Sequence, residues 1–473
     1  MSEEIQQEKQ RPHQKSRAMK RTNNLGEDSV FSLVLRLAIP TMLAQFVSVL
    51  YSIVDRMYIG VGVGSLALAG VGVCGPIVTL LSSFASLVGL GGAPIMSIRM
   101  GEGNPKMAKR VLNNSFLMLL ILSAALTLLF LLAKDRLLMW FGASASTFGY
   151  ADTYLTIYTA GTFFALMSVG MNSFLIGQGF SGLGMATVML GAVLNIALDP
   201  IFIFLFHMGV AGAAVATVIS QMASCAFVLL SLLRKKMPIR LGWGDFHLQT
   251  MKQIAAFGLS PFLIIASDSI LLIVLNAVLQ RYGGPGEGDI LVTCATIVQS
   301  YLLLITMPLG GITLGSQPVV SFNYGAGNAV RVKQAIQCVT GLCLIFCILM
   351  TIVTHTASPL YVALFTKDSE AMLRSVRYIK RFTCMIIPLA FQYALVDETT
   401  ALGQVRLALF CSMFRKTVFL LGLFLLPALV SAEATFFSEP IADLVSCLMT
   451  TTLFLHFFPR IVAERAKKTA SGT

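Results

Sequence analysis

The stretch GGAPIMSIRMGEGNPKMAKRV (91–111) has a partner further along the chain, GSQPVVSFNYGAGNAVRVKQA (315–335). Aligned without gaps, the two share Gly91/Gly315, Pro94/Pro318, Ser97/Ser321, Gly101/Gly325, Gly103/Gly327, Asn104/Asn328 and Lys109/Lys333. Each closes a long apolar run with glycine and asparagine and then supplies basic residues. One such segment is turn chemistry. Two, following equivalent apolar runs, are an internal duplication. A shorter echo, IGQG (176–179) against LGQV (402–405), falls at nearly the same offset.

The runs between these loops set the solvent. Of the 473 residues, 56% are hydrophobic and 12% charged, against about 25% charged in a soluble domain. Apolar runs near 32–59, 66–97, 112–133, 151–175, 186–206, 211–233, 254–280, 290–318, 334–354, 376–401, 407–430 and 440–458 are each long enough to cross a hydrocarbon core about 30 Å thick. Twelve spans in two halves of six predict an all-α integral membrane protein: two pseudo-symmetric six-helix bundles, related by an axis along the membrane normal, with the substrate path between them. The expected divisions are a basic tail at 1–30, read as disordered, an N-lobe at 31–233, a linker at 234–252, a C-lobe at 253–458 and a tail at 459–473.

A net charge of +12 in a soluble chain would suggest nucleic acid. Its distribution argues otherwise, and no nucleic-acid partner is expected. Arg99, Lys106, Lys109, Arg110, Arg234, Lys235, Lys236, Arg240, Arg331 and Lys333, with both tails, fall after even-numbered spans. They therefore share one side, which the positive-inside rule makes cytoplasmic. Arg374, Arg377, Lys380 and Arg381 fall on the other side and read as an amphipathic entry to span ten.

Polar groups inside the spans carry the chemistry. A charge at the bilayer centre costs about 2.5–3.5 kcal/mol on insertion scales, so each intramembrane acid is a candidate for function. Asp55 in span one has Tyr51 a turn before it, Asp199 in span five has Asn195 a turn before it, and span six offers Thr217. Together these would present two carboxylates, an amide oxygen and two hydroxyls, a set suited to a proton or a hard monovalent cation such as Na⁺. Na⁺ would sit at Asp55, Asn195, Asp199 and Thr217. The second half does not copy the set. Matching Pro261 to Pro40 puts Asn276 at the position of Asp55, and the GQ echo puts Leu421 and Leu425 at those of Asn195 and Asp199. Asp268, Asn276, Asp397 and Glu398 are instead candidates for lining a substrate cavity, with pairing of Asp397 and Glu398 to Arg406 or Arg415 the structural alternative. Pro40, which removes a backbone hydrogen bond, is a candidate hinge.

The segments LAIPTMLAQFVSVLYSIVDRMYIG (37–60), APIMSIRMGEGN (93–104), GAVLNIALDPIFIF (191–204), PLGGITLGSQPVVSFNYGAGN (308–328) and SEPIADLVS (438–446) together resemble the multidrug and toxic compound extrusion (MATE) transporters, in particular their bacterial multidrug-exporter branch. The resemblance covers residues 31 to 458. It implies two six-helix bundles forming a V-shaped central cavity and export of lipophilic organic cations in exchange for inward H⁺ or Na⁺, from the bacterial cytoplasmic membrane, with both termini cytoplasmic. Family members with an N-lobe cation site use a Tyr and Asp on the first helix, an Asn and Asp on the fifth and a Thr on the sixth; the matching residues here are Tyr51, Asp55, Asn195, Asp199 and Thr217. Some relatives add acids on helices seven and ten, near Asp268 and Asp397. A monomer without resident cofactor is expected.

Other classes fit less well. There is no GxxxxGK[ST] for ATP and no HExxH, and His13, His207, His247, His355 and His456 are scattered, so no enzyme is indicated. The nine cysteines form no CxxC pair and read as small buried hydrophobes. The alternative is a flippase for lipid-linked sugars or other lipids, whose pyrophosphate cargo would call for a strongly basic cavity.

Overall fold

Every regular element is a helix among the residues the computed structural model describes, which are 23–284, 287–363, 365 and 369–470. The first half contains α1 (Val30–Gly62), α2 (Ser65–Gly101), α3 (Pro105–Trp140), α4 (Phe148–Ala160), α5 (Thr162–Gly177), α6 (Ser181–Pro200) and α7 (Val210–Leu233). The second contains α8 (Leu248–Gly283), α9 (Glu287–Gly325), α10 (Ala329–Val362), α11 (Ser369–Phe382), α12 (Ile386–Ala401), α13 (Val405–Leu429) and α14 (Ser438–Ala470). Ten helices are long and apolar enough to cross a membrane alone. The pairs α4/α5 and α11/α12 add two more spans, bent by 57° and 50°. The bends fall at the fourth span of each half, as the duplication requires.

The shared loop residues do the same work twice. Ser97 Oγ donates to Gly177 O (2.6 Å) and Ser321 Oγ to Ala401 O (3.0 Å), tying the second span of each half to the end of the fourth. Asn104 caps α3 through Met107 N at 3.0 Å, and Asn328 caps α10 through Arg331 N at 3.1 Å. Gly103 (φ +69°) and Gly327 (φ +72°) turn the chain between them in left-handed backbone. These pairs fix the register at 177/401 and, through the left-handed Gly179 and Gly403, at 179/403. The GQ echo is therefore two residues out of step. The positions matching Asn195 and Asp199 are Phe419 and Leu423, both facing the C-lobe core, and not Leu421 and Leu425, which are exposed.

Glycines bring the halves together. A Cβ on Gly101 would lie 1.9 Å from Phe322 O, and one on Gly325 2.1 Å from Ile98 O, so the ends of α2 and α9 touch backbone to backbone across the pseudo-twofold. Gly91 packs on Ile254 and Gly258 of α8, while Gly315 packs on Leu37 and Thr41 of α1. This swap pairs Leu37 with Ile254 and Thr41 with Gly258, one helical turn from the register that the two prolines suggest. Leu272, not Asn276, then occupies the position of Asp55. A proline can move along a helix by a turn, but a backbone contact cannot.

All these contacts lie toward one end, which carries Arg99, Arg110, Arg331 and Arg465. Arg465 of α14 reaches Glu102 of the first half at 2.5 Å and the carbonyls of Tyr324 and Gly325 at 3.1 and 2.8 Å. The expected tail at 459–473 is therefore helix as far as Ala470 and part of the junction. The disordered reading of the N-terminal tail fails for its described part as well. Asn23 donates to Gly179 O (2.8 Å) of the first half, and Leu25 O accepts from Asn323 (2.9 Å) of the second; residues 1–22 of that tail lie outside the described residues. The linker is pinned to α3 by Asn113 and Asn114, which bond the Gly242–His247 backbone. It ends at His247, earlier than expected, because α8 begins at Leu248. The basic cluster before span ten is α11, whose Arg374 pairs with Glu287 and Glu370 and whose Arg381 pairs with Glu433 at 3.3 Å. Among the cysteines, Cys384 is exposed at the α11/α12 bend, against the expectation of burial.

Candidate cation site

The pattern of apolar residues makes α1, α6 and α7 membrane helices, and their i, i+4 spacing decides which polar side chains share a face. Asn195 and Asp199 are both buried on α6, 2% and 0% exposed. Asn195 Nδ2 donates to Asp199 Oδ1 at 3.2 Å and to Thr217 Oγ1 of α7 at 3.3 Å. Asp55 comes in from α1, half-buried, and its carboxyl lies within hydrogen-bonding reach of the Asp199 carboxyl. The neighbouring Arg56 is exposed. Immediately after Asp199 the helix changes character: Pro200 supplies no amide proton, and Ile201–Leu205 forms a π-helical stretch. Such bulges loosen the backbone ladder and are frequent at functional sites.

The telling feature is a surplus of acceptors. Asp55 Oδ1, Asn195 Oδ1, Asp199 Oδ2 and Gln221 Oε1 are buried and receive no hydrogen bond. Buried oxygen without a donor costs about 1–3 kcal/mol, and native structures rarely leave several together. Two facing carboxyls lower that cost by sharing a proton or a monovalent cation. Tyr51 stands beside this group. It lies one helical turn before Asp55 on α1, within electrostatic range of that carboxyl.

Sequence reading missed three contributors. Tyr154 and Tyr158 on α4 are buried and stacked with centroids 6.2 Å apart, and Gln221 on α7 reaches Tyr158 Oη at 3.4 Å. Tyr154 lies near enough to Asp55 to feel its charge. The signal was present as Tyr154/Tyr158 and Thr217/Gln221 at i, i+4. Tyrosine in an apolar run draws less notice than an acid.

The C-lobe acids are arranged differently. Asp268 pairs with Lys416 of α13. Arg415 pairs with Glu439 and, at 2.8 Å, with Asp443 of α14, so it is not the partner of Asp397 or Glu398. Asp397 Oδ2 accepts from Thr313 Oγ1 at 2.5 Å. Glu398 does not line a cavity, for it is fully buried with neither oxygen bonded. Consecutive residues on a helix point roughly 100° apart, so it and Asp397 cannot share an outlook. Asn276 is half-buried with Oδ1 unsatisfied. Sequence reading weighed Arg415 against the wrong acids, Asp397 and Glu398, and overlooked Lys416. Replacing Arg415 by Ala would leave Glu439 and Asp443 facing each other in a buried site, 9% and 1% exposed at their side chains. The expected loss is about 3–5 kcal/mol, read as a large drop in melting temperature of the detergent-purified protein, with Arg415→Lys in between.

A duplicated bundle of up to twelve membrane-crossing segments, holding buried carboxyls that lack donors, has the architecture of a membrane transporter. The MatE family profile matches residues 40–201 and again 264–425, one repeat in each half. The chain belongs to the MatE family. Curated relatives include multidrug export protein MepA of Staphylococcus haemolyticus, 24% identical over 93% of this chain and 96% of that protein, and MepA of Staphylococcus aureus strain N315, 23% identical over 90% and 94%. Among solved structures, the outward-facing conformation of a multidrug resistance MATE family transporter of the MOP superfamily superposes with a TM-score of 0.86 at 24% identity, over 94% of this chain and 99% of that one. A MATE structure in a bent conformation gives 0.85 at 24% identity, over 94% and 98%.

Proposed function

We propose that this protein is a multidrug efflux antiporter that expels lipophilic organic cations in exchange for inward H⁺ or Na⁺, with its basic end in the cytoplasm. The observation that carries the proposal is the group of donorless oxygens of Asp55, Asn195, Asp199 and Gln221. A cation entering from outside would take those acceptors and draw α1 and α6 together around it. Pro40, inside α1, supplies a point where the helix can bend without breaking a hydrogen bond. The bend would reshape the cleft wall that α1 forms and release the drug. With the basic end parted, the cation leaves and the next drug enters. Coupling follows because cation and drug favour different states; a ligand bound equally by both shifts nothing. The multidrug-export names of the relatives support this reading.

The test is ethidium efflux from proteoliposomes under an imposed pH gradient and, separately, an imposed Na⁺ gradient. Efflux driven by one identifies the coupling ion. Ethidium distributions equal to those of empty liposomes under both gradients would remove the antiport reading.

A further inference from the structure

The pairing of Asp268 with Lys416 is uneven. Lys416 is buried, 8% exposed, with Nζ also donating to Ile264 O at 2.7 Å. The Asp268 side chain is 63% exposed. Its direction follows from its helix face. Asp268 lies at helical spacing with Ile254, which packs on Gly91 of the opposite half, and with Leu275 and Leu279, which are buried in the C-lobe core. Ile270 and Ile273, on the opposite side of α8, are exposed where lipid would be. The space before Asp268 is therefore interior, between the bundles. Phe262, six residues before Asp268 and about 9 Å from it along α8 at 1.5 Å per residue, meets Phe84 of α2 with ring centroids 4.9 Å apart.

The neighbouring triad serves as a contrast. Arg415 and its partners Glu439 and Asp443 are 17%, 9% and 1% exposed at the side chain, a closed arrangement. The Asp268–Lys416 pair has one closed and one open member. A monocation that took Asp268 would leave the Lys416 ammonium uncompensated at mid-membrane, which is costly. A solute carrying an amine and a carboxylate would replace both halves of the pair with no change in net charge.

We propose that the Asp268–Lys416 pair is an exchangeable substrate subsite for zwitterions: the solute's cation takes the Asp268 carboxylate while its carboxylate takes the Lys416 ammonium. This rests on the reading of the interbundle cleft as the drug path. Lys416 is then the specificity residue that admits carboxylate-bearing drugs among organic cations.

A matched pair of probes tests it: rhodamine 6G, an ethyl ester with one positive charge, and rhodamine 19, the same ring system with the free carboxylate. Binding of each to the purified full-length protein is read by fluorescence polarisation. Lys416→Met is expected to weaken rhodamine 19 roughly ten- to a hundredfold, the range of a lost charge-assisted hydrogen bond, while rhodamine 6G binds as well as before or better. Lys416→Arg should restore rhodamine 19 binding, and Asp268→Asn should weaken both dyes. Equal shifts of the two dyes in Lys416→Met, or no shift, would overturn the proposal. Retained rhodamine 6G binding reports that the variant is folded. Gradient-driven rhodamine 6G efflux by the wild-type protein tests the antiport reading separately, so either can fail without the other.

Discussion

Asp199→Asn is expected to reduce gradient-driven efflux to the level of empty proteoliposomes while leaving the protein as stable as before or more so. The two effects separate because the substitution changes charge and not shape. The substituted amide oxygen can still accept from Asn195, as the Asp199 carboxylate does at 3.2 Å. Its new NH₂ group can also donate to Asp55 Oδ1, which lacks a donor in the native protein. Satisfying one such oxygen is worth about 1–3 kcal/mol, so the melting temperature should hold or rise. What is lost is the group that takes up the coupling ion, and with it the difference in cation affinity between the two states. Asp55→Asn should behave alike. The double variant should be no worse than either single one, since the carboxyls act as a unit. Efflux surviving in Asp199→Asn, or a marked fall in melting temperature, would mean that this carboxyl is a packing element and not a coupling site.

The second large effect concerns glycine. Gly101→Ala is expected to hold the two halves apart at the basic end, because its Cβ would lie 1.9 Å from Phe322 O, a backbone atom that can yield only if the helices separate. Gly325→Ala meets Ile98 O at 2.1 Å and should act the same way. Overpacking of this kind costs about 1–3 kcal/mol, roughly a 5- to 150-fold shift in a two-state equilibrium. Transport should fall by that order, and a cysteine placed near Arg465 should react faster with a membrane-impermeant maleimide applied from the basic side. Gly103→Asn is the control. That glycine has φ +69° and open space, with nothing within 4 Å of where a Cβ would stand, so asparagine, which tolerates left-handed backbone, should leave transport nearly intact. If Gly103→Asn impairs transport as much as Gly101→Ala, close backbone approach is not what Gly101 provides.

Much of this was written in the chain. Twelve apolar runs, a repeated Gly/Ser/Asn loop and buried acids at i, i+4 spacing are one-dimensional signals, because membrane thickness sets span length and helical pitch sets which neighbours share a face. They led to the two-bundle fold and to Asp55, Asn195, Asp199 and Thr217. Where the chain misled, the cause was a contact distant in sequence. Identity of prolines placed Asn276 opposite Asp55, but the packing of Gly91 and Gly315 moved the register by a turn. In the C-lobe, Arg406 or Arg415 was the expected partner of Asp397 and Glu398, but the fold gives Arg415 to Asp443, 28 residues away, and brings Lys416 to Asp268, 148 residues away.

The sequence by itself determined that this protein lies in a membrane, that it is a duplicated helical bundle, and which polar residues each helix could offer. Tertiary structure alone decided that the N-lobe acceptors converge without donors while most C-lobe acids meet a cation or a hydroxyl. The physical reason is that helix periodicity fixes the direction of a side chain relative to its own axis. The orientation of one helix against another follows from packing among residues hundreds of positions apart.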